Sequence, residues 1–286
     1  MRVHLIANIH RKDAIAAVAD AASWLTAGGH TVGFESETSR ELNGLRVGPE
    51  EFSACDVVVA FGGDGTLIRA AHLCSERGTP ILGVYFGRFG FVTQCNPQDI
   101  RPALDRFFKG EAHLDARGMV AAELLRGGNP VTKLHALNEV VLQRAVTARM
   151  MTFRVWVDGH RVTSYPADGV LVSTPTGSTA YNLSAGGPIM DPNVSAIMLT
   201  AIAPHTLSAR PLILRPESEI RLKIMSDGDA VLSVDSQTRL HILAGDEVRV
   251  TQSTRVTNLI TVHEADFLMK LNHKMFWSKG LTENVD

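Results

Sequence analysis

Three glycines surround one carboxylate in the run Phe61-Gly62-Gly63-Asp64-Gly65-Thr66-Leu67. Without a Cβ, such positions can take positive φ and let the backbone come close to a ligand. The β-branched block Asp56-Val57-Val58-Val59-Ala60 precedes the run, and Leu67-Ile68-Arg69-Ala70-Ala71-His72-Leu73 follows it at helical spacing. The glycines therefore fall where a buried strand turns into a helix, and a helix N-terminus binds phosphate oxygens through free N–H groups and its dipole. A carboxylate beside a phosphate repels it unless it does something useful, such as holding a metal or taking a proton. The bland alternative is a tight turn with Asp64 as a helix N-cap. Neither Gly-x-x-x-x-Gly-Lys-Ser/Thr nor Gly-x-Gly-x-x-Gly occurs, so the usual phosphate-loop and dinucleotide fingerprints are absent.

Two further stretches have the composition of a ligand site. Asn138 and Glu139 stand side by side among apolar strand residues. At a strand end both can reach one ligand, the amide reading an adenine edge or a ribose hydroxyl and the carboxylate accepting from ribose hydroxyls. Alone, a polar strand end at the surface explains the pair as well. The run from Asp168-Gly169 through Thr174-Pro175-Thr176-Gly177-Ser178-Thr179-Ala180-Tyr181 brings a strand to a hydroxyl-rich turn. Ser178 is placed to cap a following helix. Small donors and acceptors, a helix start and one aromatic face suit a nucleotide, with the tyrosine ring for stacking; a structural Ser/Thr turn with a core tyrosine is the competing reading.

The elements that must position these residues change character along the chain. Val3 to Ala7 reads as a strand, Asp13 to Ala27 as an alanine-rich helix ended by Gly28-Gly29, His30 to Phe34 as a short strand, and Glu35 to Glu51 as a polar, mobile loop. Thr79 to Val84 is a further strand, and Pro97 to Phe108 a helix capped from Asn96 and closed by Gly110. Alternating strands and helices imply a parallel sheet, whose ligands bind beyond the carboxyl ends of the strands. Gly62 to Thr66 lies at such an end, and so does Gly83 to Phe91. From about residue 111, short β-branched segments separated by turns predominate: Val120 to Leu125, Lys133 to Arg144, Met151 to Val157, Arg161 to Thr174, and six more from Pro211 to Val262. That texture predicts an all-β layer. Glu264 to Lys270 turns helical again.

Composition sets the outer bounds. The 286 residues are 45% hydrophobic and 20% charged, with a net charge of −2, which gives no reason to expect nucleic acid or an anionic membrane as partner. Cys55, Cys74 and Cys95 are odd in number and form no Cys-x-x-Cys pair, which fits a reducing cytoplasm and argues against a zinc site. No signal segment and no apolar span are expected.

The order of motifs resembles the NAD kinase family. Gly62-Gly63-Asp64-Gly65-Thr66 taken alone is shared with lipid kinases and phosphofructokinases. Followed by Asn138-Glu139, Asp168-Gly169, Thr174 to Tyr181, and Ser184-Ala185-Gly186-Gly187-Pro188, it is specific. Pro204 to Pro211 and Asp235-Ser236-Gln237 are similar to later family blocks. The likeness runs from about residue 56 to the end. It implies an N-terminal Rossmann-like α/β domain over 1–112, a β-rich (β-sandwich) domain over 113–263 that binds NAD, and a C-terminal helix (264–286) returning to the first. The site would lie in the cleft between the domains. The implied reaction is transfer of a phosphoryl group from ATP, or polyphosphate in some members, to the 2′-hydroxyl of the adenosine ribose of NAD, with Mg²⁺ or another divalent cation. The implied assembly is a homo-dimer or homo-tetramer whose subunits both contribute to the site.

By the same resemblance, Asp64 is the base and a ribose ligand, and Gly62, Gly63, Gly65 and Thr66 serve the phosphates. Gly65, Asn138, Glu139, Asp168, Thr176, Thr179, Ala180, Tyr181, Ser184, Ala203 and Gln237 contact the dinucleotide. Tyr85 stands where many members have asparagine, and Pro166 where several have an arginine connected with choosing NAD over NADH. A lipid or sugar kinase sharing only the glycine turn, and a non-catalytic dinucleotide sensor, are the competing readings. The first would have no use for the hydroxyl-rich run and the second none for Asp64.

Overall fold

The computed structural model describes residues 1–87, 90–93, 95–145, 150–225, 229–262 and 267–275. The chain divides into two compact units, one from Met1 to Ala116 joined by the chain from Thr257 onward, the other Arg117–Val256.

In the first unit the strands β1 (Arg2–Ala7), β2 (Thr31–Phe34), β3 (Val57–Gly62) and β4 (Ile81–Tyr85) form a parallel sheet in the order β2-β1-β3-β4. The helices are α1 (Lys12–Ala27), α2 (Ser36–Leu42), α3 (Pro49–Phe52), α4 (Asp64–Cys74) and α5 (Ile100–Phe108). All six residues of β3 are buried, as a parallel strand covered on both faces requires. Its core includes Val3, Leu5, Val18, Leu25, Val57, Val59, Phe61, Leu82 and Leu104. A Cβ on Gly83 would collide with Leu67, so glycine there lets α4 lie close on β4. The polar segment 35–51 is not the loop its composition predicts. Glu35 caps α2 by accepting from the amides of Glu37 and Thr38, Asn43 ends it in the left-handed conformation, and Pro49 opens α3. The helix foreseen over 97–108 begins as a 3-10 turn at Pro97–Asp99, and the Asn96 side chain does not cap it. Asn96 instead accepts from the Tyr85 hydroxyl and donates to Asp99.

The second unit is a β-sandwich. Its strands are β5 (His113–Arg126, beginning in the first unit), β6 (Asn129–Ala136), β7 (Glu139–Arg144), β8 (Met151–Val157), β9 (His160–Ala167), β10 (Gly169–Ser173), β11 (Ile197–Ile202), β12 (Leu212–Leu214), β13 (Ile220–Ile224), β14 (Ala230–Val234), β15 (Thr238–Ile242) and β16 (Glu247–Thr261). One antiparallel sheet has the order β12-β11-β10-β7-β14-β15. The other is built from β16, β13, β8 and β9, with β5 on β16 and β6 on β5. Inward residues of both sheets, among them Val140, Leu142, Phe153, Val155, Val170, Leu199, Leu222 and Leu232, fill one core. The hairpin at Asp158-Gly159 places both residues at positive φ, the geometry a two-residue turn needs.

The helix α6 is one turn, Tyr181–Ser184. The terminal helix α7 spans Phe267–Met275; Glu264, Ala265 and Asp266, also read as helical, lie outside the described residues. Two segments read as continuous strands are broken, at Leu137-Asn138 and at Asp168, while the segments read separately over 247–251 and 255–262 are the single strand β16. The division between the units falls within that strand, whose Leu259 pairs with Ile81 of the parallel sheet.

Candidate active site

The first cluster sits where β3 ends. Gly62 is the last residue of β3, Gly63 is the N-cap of α4, and Asp64, Gly65 and Thr66 form the helix's first turn. None of the three glycines takes positive φ, so their service is room rather than backbone freedom. A side chain on Gly62 would strike Thr66 and Asn8, whereas the space over Gly63 and Gly65 is open. The helix start thus presents bare backbone at the carboxyl end of a parallel strand.

Asp64 is not the N-cap. Its carboxylate turns to the segment 90–93 instead: Oδ2 accepts the Phe91 amide at 2.8 Å, and Oδ1 accepts the amides of Val92 (3.2 Å) and Thr93 (3.0 Å) and the Thr93 hydroxyl (3.0 Å). A Cβ at Gly90 would overlap both the Asp64 carboxylate and the Thr93 hydroxyl, so Gly90 is what permits this approach. An ionised carboxylate has about four lone-pair sites on its two oxygens. With a single described donor on Oδ2, that oxygen keeps acceptor capacity for a further proton donor.

The second cluster forms around the break between β6 and β7. The Thr174 hydroxyl donates to the Leu137 carbonyl at 2.6 Å and accepts the Gly177 amide at 3.0 Å, and the Thr174 amide donates to the Asn138 carbonyl. Gly177 has no room for a Cβ because the Asn138 backbone lies against it. The hydroxyl-rich turn and the Asn138-Glu139 pair are therefore one cluster. Thr176 is buried and receives the Arg117 guanidinium at 3.4 Å. Thr176–Thr179 is a 3-10 turn, Ala180 links it to α6, Tyr181 is 37% exposed, and Ser184 is exposed. Ser178 is not a helix cap. Its hydroxyl is exchanged with the backbone of Met190 at 3.1 Å and pins the following loop. Asn182, wholly buried, donates to Ser178 and Pro188 and accepts from Thr200, locking the turn from beneath. Gln237 is exposed in the β14–β15 turn beside Asp235.

Within this cluster two polar atoms are buried with no hydrogen-bond partner: Asn138 Oδ1 and Glu139 Oε2. Such orphans cost stability and are rare in folded proteins. The Glu139 carboxyl is pushed up to about 8, first by burial, then by the negative charge of Asp235, against a hydrogen bond from the Tyr181 backbone N–H.

Asp168 and Ala203 are not brought to this cluster. Asp168 precedes β10, its amide donates to the Ile202 carbonyl at 3.0 Å, and its carboxylate pairs with Arg144 at 2.9 Å. Ala203 follows at φ 44. Both lie at the opposite end of β10 from Thr174, about 20 Å away at 3.4 Å per residue.

Asp235, Thr93, Gly90, Arg117 and Asn182 had not been singled out as site residues. The turn signal at Asp235-Ser236 could have pointed to the first. The others act through contacts that no local pattern announces.

A bare helix start with a held carboxylate, and a hydroxyl-rich turn around unsatisfied polar atoms, each suit a nucleotide phosphotransferase. The comparisons name it more closely. The chain matches the ATP-NAD kinase N-terminal domain over residues 3–112 and the ATP-NAD kinase C-terminal domain over residues 137–262. It is 36% identical over 285 residues to an NAD kinase of Citrifermentans bemidjiense, covering 97% of this chain and 99% of that one. It is 40% identical over 230 residues to an NAD kinase of Moorella thermoacetica, covering 80% and 74%. Among solved structures, yeast NADH kinase complexed with NADH is similar with a TM-score of 0.89 at 26% identity, over 100% of this chain and 89% of that one. The chain belongs to the NAD kinase family and is a phosphotransferase that phosphorylates NAD at the expense of ATP. The likeness reaches back to residue 3, well before the glycine turn.

Proposed function

We propose that Asp64 is the general base of an in-line transfer from ATP to the ribose 2′-hydroxyl of NAD, and that Asn138, Glu139 and the 174–181 turn hold the adenosine. The observation that carries this reading is the pair of buried, partnerless atoms, Asn138 Oδ1 and Glu139 Oε2, beside a turn of hydroxyls and an exposed tyrosine ring. Adenosine supplies what they lack: an exocyclic amine and ribose hydroxyls that donate. Tyr181 stacks on the base. The amides at the start of α4, uncovered at Gly63 and Gly65, receive phosphate oxygens. Asp64 takes the proton of the attacking hydroxyl, a poor nucleophile at neutral pH, while the 90–93 amides hold its carboxylate in aim.

A divalent cation, Mg²⁺ by preference, neutralises the charge of the transferring phosphoryl group when bound. Among the described residues no group of three or more His, Cys, Asp or Glu side chains stands together to hold a metal. Asp64, the carboxylate of the glycine turn, would be the protein group offered to an ion carried in with the triphosphate, as Mg²⁺ commonly binds.

The roughly 20 Å between Asp168 and Thr174 supports a homo-oligomer, a dimer or tetramer, in which Asp168 and Ala203 serve the dinucleotide of a neighbouring subunit. Pro166, paired with Thr152 and accepting the His205 amide, offers no charge to tell one nicotinamide form from the other. With the likeness to yeast NADH kinase, this supports NADH as an acceptor alongside NAD. No helix of the described residues is long and apolar enough to cross a membrane, which is compatible with work in the cytoplasm on free NAD and ATP, without nucleic acid or membrane as partner.

The test is incubation with Mg²⁺, ATP and either NAD or NADH, with assay for the phosphorylated dinucleotide. Product from both at rates within about 50-fold, equivalent to roughly 2.3 kcal/mol, supports NADH as an acceptor alongside NAD. Product from NAD alone removes the NADH assignment.

A further inference from the structure

Asp235 closes β14, in chain terms almost a hundred residues from the pair it touches. Its carboxylate accepts three successive amides, those of Leu137 at 2.7 Å, Asn138 at 2.8 Å and Glu139 at 2.9 Å, and its own amide donates to the Glu139 carbonyl at 3.0 Å. All of this is buried: Asp235 and Glu139 are each 4% exposed and Asn138 is 7% exposed. Asp235 and Ser236 both sit at positive φ, 48 and 57, a conformation that side chains disfavour and that persists only where the surroundings impose it. Closing a hairpin requires none of the three cross-chain bonds. Their common effect is to fix the backbone from which Asn138 and Glu139 project, at the point where the strand breaks.

We propose that Asp235 is the positioning residue of the adenosine half-site, clamping the Leu137–Glu139 backbone so that Asn138 and Glu139 meet the dinucleotide preformed; this rests on the assignment of those two residues to NAD. The clamp has an electrostatic consequence. The Asp235 carboxylate lies beside Glu139, and its negative charge disfavours a second anion there. The groups that face Glu139 are Asp235 and the Tyr181 amide, with the Arg117 guanidinium reaching the adjoining turn at Thr176. Glu139 therefore enters the site as a neutral acid, able to donate one hydrogen bond and accept others, and adds no repulsion toward the pyrophosphate.

Asp235→Asn removes the charge and turns one of the acceptors into a donor. The expected result is a folded enzyme whose Kd and KM for NAD rise about ten-fold or more at pH 7, while KM for ATP and kcat at saturating NAD stay within about three-fold. In the unaltered enzyme NAD affinity should fall as pH rises through about 8, the value to which Glu139 is raised. In Asp235→Asn that fall should move to lower pH, and in Glu139→Gln it should vanish. An unmoved break in Asp235→Asn, or the same break in Glu139→Gln, overturns the proposal. If the unaltered enzyme binds no NAD at any pH, the dinucleotide assignment fails first and this inference falls with it. If Asp235→Asn does not fold, amide exchange in the unaltered protein decides. Leu137, Asn138 and Glu139 should then exchange as slowly as strand interiors without ligand, and exchange at the rate of an open loop overturns the clamp.

Discussion

Replacing Glu139 by glutamine should make the free protein more stable, and only above mild acid. The folded chain holds the Glu139 proton up to about pH 8, against an ordinary value of 4.5. Between those limits folding takes up a proton that the unfolded chain has released. The sign follows from linkage: the contribution is neutral below pH 4.5, grows less favourable as pH rises, and is fully unfavourable above about 8. At pH 7 the interval from 4.5 is 2.5 pH units, and at about 1.4 kcal/mol per unit the cost is at most about 3 kcal/mol. Glutamine has the same shape and no proton to release. Urea unfolding of Glu139→Gln and the unaltered chain at pH 5, 7 and 8.5 should therefore give curves that nearly coincide at pH 5 and differ by about 2–3 kcal/mol in favour of the variant at pH 7. The difference should widen again at pH 8.5. A stability difference that does not change with pH would refute the reasoning, because it would mean that Glu139 titrates alike in both states.

Three other outcomes follow from the site. Tyr181→Ala removes the ring that stacks on the adenine and should weaken NAD roughly 5- to 150-fold, the equivalent of about 1–3 kcal/mol, with little change in KM for ATP; unaltered NAD binding would take Tyr181 out of the site. Gly90→Ala drives a methyl group into the Asp64 carboxylate and Thr93, and should cut kcat by about 100-fold while NAD affinity, set by the second unit, holds in titration calorimetry. Ser236→Gly relieves a side chain held at φ 57 and should raise stability in thermal melts by about 0.5–1 kcal/mol; a fall would show that the serine costs nothing there.

How much the sequence disclosed depended on whether the cause was local. The β-branched run at 57–59 and the helical spacing after Leu67 located the glycine turn, because burial on both faces of a parallel strand leaves a plain signature. The texture beyond residue 111 gave the sandwich for the same reason. Segment 35–51 has the composition of a loop, and its order comes from single residues that start and stop its helices, Glu35, Asn43 and Pro49. The breaks at Leu137-Asn138 and Asp168 were invisible because what interrupts the strands is distant: the Asp235 carboxylate at the first, the Ile202 carbonyl and Arg144 at the second. β11 went unread, although it carries Thr200, which secures Asn182. Asp64 was picked out by its type and its neighbours, but the amides that hold it lie 27 to 29 residues away, beyond any period a sequence shows. Candidate site residues stood out where chemistry restricts residue type, and the contacts that support them did not.

The most direct test of the account is the turnover of Asp64→Asn with saturating ATP, Mg²⁺ and NAD. Asparagine preserves the shape and can keep an oxygen toward Val92 and Thr93, surrendering only the acceptor for the Phe91 amide. With Asp64 as general base, kcat should fall by about 10²- to 10⁴-fold, with NAD affinity within a few-fold of the unaltered enzyme. A folded Asp64→Asn enzyme that binds NAD and makes NADP at close to the original rate would contradict the mechanism, and would leave Asp64 as an anchor for the 90–93 segment alone.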